Sequence, residues 1–119
     1  MQQVLLVALG GAIGSVARYG VGVAAARWFG LGFPWGTLAV NVIGGLAMGL
    51  LAARVGSDNE NLRLLIGTGL LGGFTTFSAF SLETVQLMEQ QPGLAALYAA
   101  ASLVLCVGAC WMGLELGRI

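Results

Sequence analysis

Four long stretches of this chain contain no Asp, Glu, Lys or Arg, and they restrict its possible folds more than any other feature. They cover residues 1–17, 28–53, 64–82 and 90–114. Each is close to or longer than the roughly 17 to 25 residues with which an α-helix crosses about 30 Å of hydrocarbon. Only 8% of the 119 residues are charged, against roughly 25% in soluble domains. The sequence therefore predicts an all-α membrane protein that crosses a lipid bilayer four times.

Turn residues between these stretches set the predicted helix boundaries. Glycines precede Pro34, the polar connector GSDNEN follows the second stretch, and EQQPG precedes most of the fourth. Such residues end helices and begin new ones. The predicted helices are helix 1 over 2–26, helix 2 over 34–54, helix 3 over 61–89 and helix 4 over 92–116. We expect a single domain, 1–119, without a soluble part and without a charged tail that binds nucleic acid.

Residue types that carry catalysis or bind metals are scarce. The chain has no histidine, and its two cysteines, Cys106 and Cys110, lie four apart in predicted helix 4, where a disulfide would be strained. A zinc site normally needs three or four Cys or His ligands, and no Ser/His pair, paired Asp or metal-ligand set suggests an intramembrane enzyme. We expect a protein that is not an enzyme, with cysteines that act as small packing residues.

Glycine pairs spaced four residues apart occur in every predicted helix. This spacing lets helix backbones approach closely in a membrane, where no hydrophobic effect drives their association. The pairs are Gly10/Gly14, Gly45/Gly49, Gly69/Gly73 and Gly113/Gly117. They predict a tightly packed bundle with a partner subunit.

Arginine placement orients the bundle only weakly. Arg54, Arg63 and Arg118 fall on the side of the two termini, and Arg27 falls on the other. By the positive-inside rule the termini would be cytoplasmic. Because so few charges set this bias, insertion in both orientations stays open.

Several polar side chains fall at membrane depth, where each needs a partner or a water-filled cavity. Thr37 and Asn41 lie four apart on one face of helix 2, and Tyr98, Ser102 and Cys106 recur every four residues along helix 4. These side chains either join helices by hydrogen bonds or line an anion path with donors. Both interpretations stay open at this point.

Arg18 and Glu83 are ionisable residues within predicted helices 1 and 3. Arg18 either bonds to helix-end carbonyls or to Glu83, or it supplies positive potential at an anion vestibule. Glu83 lies toward the end of helix 3, where a carboxylate can reach water.

The segment GGFTTFSAF, residues 72–80, places helix breakers and hydroxyls in the middle of helix 3. Its two glycines destabilise a helix, and its two threonines can cap a helix that restarts near Phe77. We therefore predict a break over 72–76. A broken helix exposes carbonyls, which suit a cation such as sodium, and N–H groups, which suit an anion.

Phe77 and Phe80 share a face of the second half of helix 3. The positive edges of two aromatic rings can contact a small anion without the deep trap that a buried arginine would create. A phenylalanine pair at this spacing is otherwise typical of core packing, so the adjoining break and hydroxyls are what favour the anion path.

Three motifs, in order along the chain, resemble those of the small bacterial fluoride channels of the Fluc or CrcB type. They are GGAIGSVARY at 10–19, GTLAVNVIG at 36–44 and GLLGGFTTFSAFSLE at 69–83. The resemblance extends from end to end of the chain. It implies passive fluoride export across the bacterial cell inner membrane by an antiparallel, dual-topology homodimer.

The resemblance also implies roles for individual residues. A structural sodium ion at the dimer centre would be held by backbone carbonyls of Gly72 and Thr75 from both subunits. Arg18 would lie at the vestibule, and Glu83 and Thr76 would be further polar contacts. The fluoride path would be formed by Phe77, Phe80, Asn41, Thr37, Ser78, Tyr98 and Ser102.

Two positions depart from the family pattern. Ala79 stands where a hydroxyl residue is usual between the two phenylalanines, and Cys106 stands where the next serine of the polar track is expected. A thiol is a weaker hydrogen-bond donor than a hydroxyl, so the second departure changes the chemistry of that position.

Two other classes of protein fit part of the sequence. A small multidrug-type exporter also has about four short helices, but it relies on a carboxylate in helix 1, where this chain has no Asp or Glu. A non-transporting assembly subunit would use its polar residues only to join helices, and Phe77→Ile would then harm association without any ion conductance to lose.

Overall fold

The four uncharged stretches form four helical spans. The structure, a computed structural model, describes residues Met1–Ile119. Helices long and apolar enough to cross a membrane extend over Gln2–Phe29, Trp35–Arg54, Glu60–Gln90 and Pro92–Arg118. The prediction of an all-α protein with four spans is confirmed.

The elements follow one another with short connections. In chain order they are α1 (Gln2–Phe29), α2 (Trp35–Arg54), α3 (Glu60–Leu62), a π-helix (Arg63–Leu71), α4 (Gly72–Phe74), α5 (Ser78–Gln90) and α6 (Pro92–Arg118). α1 continues past its predicted end at residue 26 as far as Phe29. It stops there because Gly30 has a φ of 79°, in the left-handed region that glycine enters at little cost.

The third span combines several kinds of helix. Asn59 caps its start, since the Asn59 side chain accepts a hydrogen bond from the Leu62 N–H at 3.4 Å. The nine residues Arg63–Leu71 then take the wider π-type turn, for which the apolar pattern of the sequence gives no signal. Helical geometry stops after Phe74 and resumes at Ser78. The intervening residues 75–77 are called the linker below.

The linker is shorter than the predicted interruption over 72–76 and lies further along the chain. Gly72 and Gly73 are helical, and the first residue outside the helix is Thr75, whose ψ of 161° is extended. Glycine lowers helix stability by only about 1 kcal/mol relative to alanine. Packing outweighs that cost here, because a Cβ on Gly73 would lie 2.7 Å from the backbone oxygen of Gly11 in α1.

Close approach of helix backbones holds the bundle together. α1 packs against the π-helix and α4, while α2 packs against α6. A Cβ added to Gly14 of α1 would collide with the Leu70 carbonyl oxygen, and one added to Gly113 of α6 would collide with that of Leu46. All eight glycines of the predicted pairs leave little or no room for a Cβ, which confirms that they serve helix packing.

The outer surface of the bundle is apolar. Large aliphatic side chains are exposed along the spans, among them Val16, Leu103, Val104 and Val107. Such a surface suits the hydrocarbon of a bilayer, in which every backbone polar group has to be satisfied within the protein.

Gly14→Ala is expected to lower the free energy of unfolding by about 2 kcal/mol, because the new methyl group overpacks the contact with the π-helix. Gly20→Ala in the same helix is the matched control, since nothing lies within 4 Å of a Cβ there, and it should change stability by less than about 0.5 kcal/mol. Thermal unfolding in detergent measures both. Equal midpoints for the two variants would contradict the packing role of Gly14.

Candidate functional site

Asn41 of α2 binds the backbone of the linker. Its Nδ2 donates to the Thr76 carbonyl oxygen at 3.0 Å, and the Thr76 N–H donates to its Oδ1 at 2.8 Å. The side-chain amide thus replaces the partners that Thr76 would have in a continuous helix. Of the two interpretations left open by the sequence, this geometry establishes the clamp. A primary amide carries a second N–H, so the clamp still leaves Asn41 one donor.

The two threonines of the segment act differently from each other. Thr76 Oγ1 accepts a hydrogen bond from the Ala79 N–H at 3.1 Å, so Thr76 satisfies a free N–H in the first turn of α5 from the position before the N-cap residue, Phe77. Thr75 Oγ1 donates to the Leu71 carbonyl oxygen at 2.9 Å and caps nothing that follows it. The difference arises because Thr75 closes the last turn of α4, where the carbonyl of the preceding turn is the nearest acceptor.

Arg18 bonds to a carbonyl at the end of α4. Its Nε donates to the Gly73 carbonyl oxygen at 3.1 Å. The alternative pairing of Arg18 with Glu83 is not formed, and the Glu83 carboxylate accepts hydrogen bonds from Thr37 and Tyr98 instead. The vestibule role of Arg18 stays a prediction, although Arg18 and Glu83 both border a cavity of about 370 Å³.

Glu83 joins three helices through its carboxylate. Thr37 Oγ1 of α2 donates to Oε2 at 2.9 Å, and the Tyr98 hydroxyl of α6 donates to Oε1 at 3.0 Å. Tyr98 is fully buried, whereas the carboxylate also borders an open cavity of about 670 Å³ at the end of the bundle. Two of the four hydroxyl donors predicted for the fluoride path, Thr37 and Tyr98, are therefore already directed at this carboxylate.

A second cavity lies between α2, the linker, α5 and α6. It has a volume of about 410 Å³ and is lined by Asn41, Thr76, Phe77, Phe80, Ser102 and Cys106, together with aliphatic neighbours. The rings of Phe77 and Phe80 have centroids 5.6 Å apart. We call this space the central cavity.

Ser102 has a buried hydroxyl group without a hydrogen-bond partner beside the central cavity. The residue is only 6% exposed, and its Oγ makes no hydrogen bond. A buried polar atom normally has a partner, because leaving it unpaired costs about 1–3 kcal/mol. The Ser102 hydroxyl is therefore a hydrogen-bond donor that is still free.

The predicted site residues fall into two connected groups. Asn41, Thr76, Phe77, Phe80 and Ser102 surround the central cavity, whereas Thr37 and Tyr98 meet at Glu83. The groups touch where the rings of Phe80 and Tyr98 approach to 5.2 Å between centroids. Ser78 belongs to neither group: its hydroxyl is exposed and lies 3.3 Å from Thr76 Oγ1.

Two features of the site escaped the sequence interpretation. Cys110 lines the central cavity, and the four-residue stripe through Ser102 and Cys106 would have included it if extended by one turn. The hydrogen bonds that Glu83 accepts from Thr37 and Tyr98 could not be predicted from a local sequence pattern, because both partners are far from Glu83 in the sequence. Whether fluoride contacts any of these residues stays a prediction.

Two carbonyls beside the linker lack the hydrogen bonds of a helix. The Thr76 N–H, which would pair with the Gly72 carbonyl, donates to Asn41, and the Ala79 N–H, which would pair with the Thr75 carbonyl, donates to Thr76 Oγ1. No other hydrogen bond reaches either carbonyl oxygen. Hard cations prefer oxygen ligands of this kind, so the residues present fit the predicted sodium site.

Four spanning helices, with cavities between them that polar side chains line in part, define a small multi-pass membrane protein. A model of the family described as "CrcB-like protein, Camphor Resistance (CrcB)" matches residues 5–114. The chain belongs to this family, as its three motifs predicted.

Curated relatives resemble the chain over nearly its whole length. One from Caulobacter sp. (strain K31) is 54% identical over 123 residues, which cover 99% of this chain and 96% of the relative. One from Allorhizobium ampelinum is 53% identical and one from Agrobacterium fabrum is 54% identical, with 99% of this chain and 98% of each relative covered. All three are named "Fluoride-specific ion channel FluC".

Proposed function

We propose that this protein is a fluoride-selective ion channel that exports fluoride passively and so lowers its toxicity in the cytoplasm. The observation that carries the proposal is the similarity, at 50% identity or more over 99% of the chain, to relatives named as fluoride channels. The membrane is the bacterial inner membrane, which separates the cytoplasm from the surroundings.

The chemistry of fluoride explains the composition of the site. Fluoride is small and strongly hydrated, so a selective path has to replace water with hydrogen-bond donors in a narrow space while no single position holds the ion firmly. Asn41 and Ser102 offer donors to the central cavity, and Phe77 and Phe80 offer ring edges. None of these groups carries a full positive charge that would trap the anion.

The two groups of residues support one route for the ion. Fluoride passes the rings of Phe77 and Phe80 and the donors Asn41 and Ser102, then the hydroxyls of Tyr98 and Thr37. Because these two hydroxyls donate to Glu83 in the absence of the ion, fluoride competes with that carboxylate for them. Ser78 lies near one entrance, and Arg18 raises the potential at the vestibule.

The driving force requires no cofactor chemistry. Hydrogen fluoride is a weak acid that enters cells from acid surroundings and dissociates inside. A membrane potential that is negative inside contributes about 2.3 kcal/mol per elementary charge for each 100 mV. A passive path is therefore enough to expel the anion.

The assembly we infer is an antiparallel, dual-topology homodimer. Phe77 is 79% exposed in the single chain, so its ring has room for a partner. The Gly72 and Thr75 carbonyls supply two oxygens, whereas hard cations usually take six or more, and a second copy would double the number. Sodium, bound by these carbonyls as a structural ion, would join the subunits across the interrupted third spans.

Replacing sodium by a large organic cation should then dissociate the dimer, as measured by its mass in detergent.

Fluoride efflux from liposomes tests the channel function. Purified protein is reconstituted with internal potassium fluoride, valinomycin sets the voltage, and a fluoride electrode records release. We expect fluoride to leave far faster than chloride does in parallel vesicles. Folded protein without fluoride efflux would refute the channel and would favour an assembly subunit.

Ser102→Ala should separate function from stability. Removing an unpartnered buried hydroxyl should leave the free energy of unfolding unchanged or raise it by up to about 1 kcal/mol. Fluoride efflux should fall by about tenfold, since one donor along the path is worth about 1.4 kcal/mol. Thermal unfolding and liposome efflux measure the two effects. Full efflux would remove Ser102 from the path.

A further inference from the structure

The central cavity contains two thiols that the fluoride path does not use. Cys106 and Cys110 are both free and partly exposed, and both line this cavity with Ser102. They are four residues apart in α6, so they project from one face of the helix. The sequence predicted small packing residues here, but the structure places both at the wall of a cavity.

Cys106 and Cys110 are more accessible than the neighbouring Ser102. Its Oγ is buried and makes no hydrogen bond, although it lines the same space as the two thiols. Because both cysteines are partly exposed at the wall of this space, a small aqueous cation that enters it reaches the sulfur atoms. The thiols are thus positioned as ligands that can be reached from solution.

We propose that Cys106 and Cys110 together bind one soft metal cation, of the class of Hg²⁺, Ag⁺ or Cu⁺, and that the bound ion closes the central cavity. Thiolate is the protein ligand that such ions prefer. The Cβ atoms of residues four apart on a helix are about 5–6 Å from each other, so two sulfur atoms can bind a single ion between them. A disulfide between the same residues would be strained.

The binding reaction is an exchange of protons for the metal. Each S–H bond loses its proton to water, and each sulfur forms a bond to the cation. With Hg²⁺ two protons leave, two S–Hg bonds form, and neither sulfur nor mercury changes oxidation state. The product occupies the space beside Phe77 and Phe80, and the closure of the channel by this product rests on the proposed function.

The first test measures binding without any ion flux. Purified protein is titrated with Hg²⁺, bound mercury is determined by mass spectrometry, and unreacted thiols are counted with a chromogenic disulfide. We expect one mercury per chain and loss of both thiols together. A competing monothiol should remove mercury from Cys106→Ser and from Cys110→Ser, because each variant lacks the second sulfur of the chelate. The monothiol concentration needed should be at least about tenfold lower than the concentration that removes mercury from the unmodified chain.

The second test measures fluoride efflux from liposomes before and after Hg²⁺, with each variant compared to its own untreated rate. In the unmodified chain efflux should fall at least tenfold and return after dithiothreitol. The double variant Cys106→Ser/Cys110→Ser should keep its untreated rate.

The outcomes separate the site from the channel. The shared site would be overturned by two mercury ions per chain or by no bound mercury. It would also be overturned if the single variants retained mercury as firmly as the unmodified chain does. Chelation of one ion with undiminished efflux would overturn the closure of the cavity. A chain without efflux before Hg²⁺ is added would refute the channel function, while the binding test would still decide the site.

Discussion

Phe77→Ile and Phe80→Ile are each expected to lower fluoride efflux about a hundredfold, which corresponds to a barrier raised by about 2.7 kcal/mol. Isoleucine retains an apolar side chain but has no electropositive ring edge to offer a desolvated anion. The rings lie side by side, with centroids 5.6 Å apart at the central cavity. The liposome efflux assay measures the loss.

The control for the phenylalanine variants is Phe29→Ile. Phe29 is exposed near the end of α1 and does not line the central cavity, so its replacement should leave efflux within about twofold, as for most surface substitutions. Thermal unfolding shows whether each variant is folded, and its mass in detergent shows whether it assembles as the unmodified chain does. Unchanged efflux in both Phe77→Ile and Phe80→Ile would exclude the rings from the path.

Asn41→Ala is expected to have the second large effect, on stability and efflux together. The substitution leaves the N–H and C=O of Thr76 without the partners that Asn41 provides. Two unpaired backbone groups cost about 3 kcal/mol in all, at the lower end of the usual range. The linker then loses its fixed geometry, and we expect a lower midpoint of thermal unfolding together with loss of most fluoride efflux.

Asn41→Asp distinguishes the clamp from the donor. Aspartate keeps an acceptor for the Thr76 N–H but loses the amide donor and places a negative charge beside the central cavity. It should therefore unfold at a higher temperature than Asn41→Ala and still conduct no better. Ile43→Ala, at an exposed position of the same helix, is the control for both. Efflux in Asn41→Asp equal to that of the unmodified chain would contradict the role of Asn41 as a donor.

Residues whose role depends on their own helix were predictable from the sequence. Uncharged length identified the four spans, since the thickness of hydrocarbon fixes the length that a helix needs. Four-residue spacing identified the packing glycines, because residues four apart share a helix face. The same reasoning identified Asn41, Phe77 and Phe80 as candidate site residues, and the structure brings them to one cavity.

Residues whose role depends on another helix were not predictable in this way. Arg18 bonds to Gly73, which is 55 positions away, and Thr37 bonds to Glu83, which is 46 positions away. Polar residues in the spans predicted that hydrogen-bond partners exist, because an unpaired polar group is costly in hydrocarbon. The choice among the partners depends on how the helices are rotated and how closely they pack, and no short pattern contains that information.

The sequence by itself determined the class of protein, the number of spans, the family and the segment in which the third span is interrupted. Only the tertiary structure decided that the interruption begins at Thr75 and that Asn41 binds its backbone. The tertiary structure also decided that Glu83 accepts hydrogen bonds from two hydroxyl groups. The physical reason is one of range. Hydrophobic length and helical spacing act within a single segment, whereas the hydrogen bonds of the site form only after four segments have packed at distances set by their glycines.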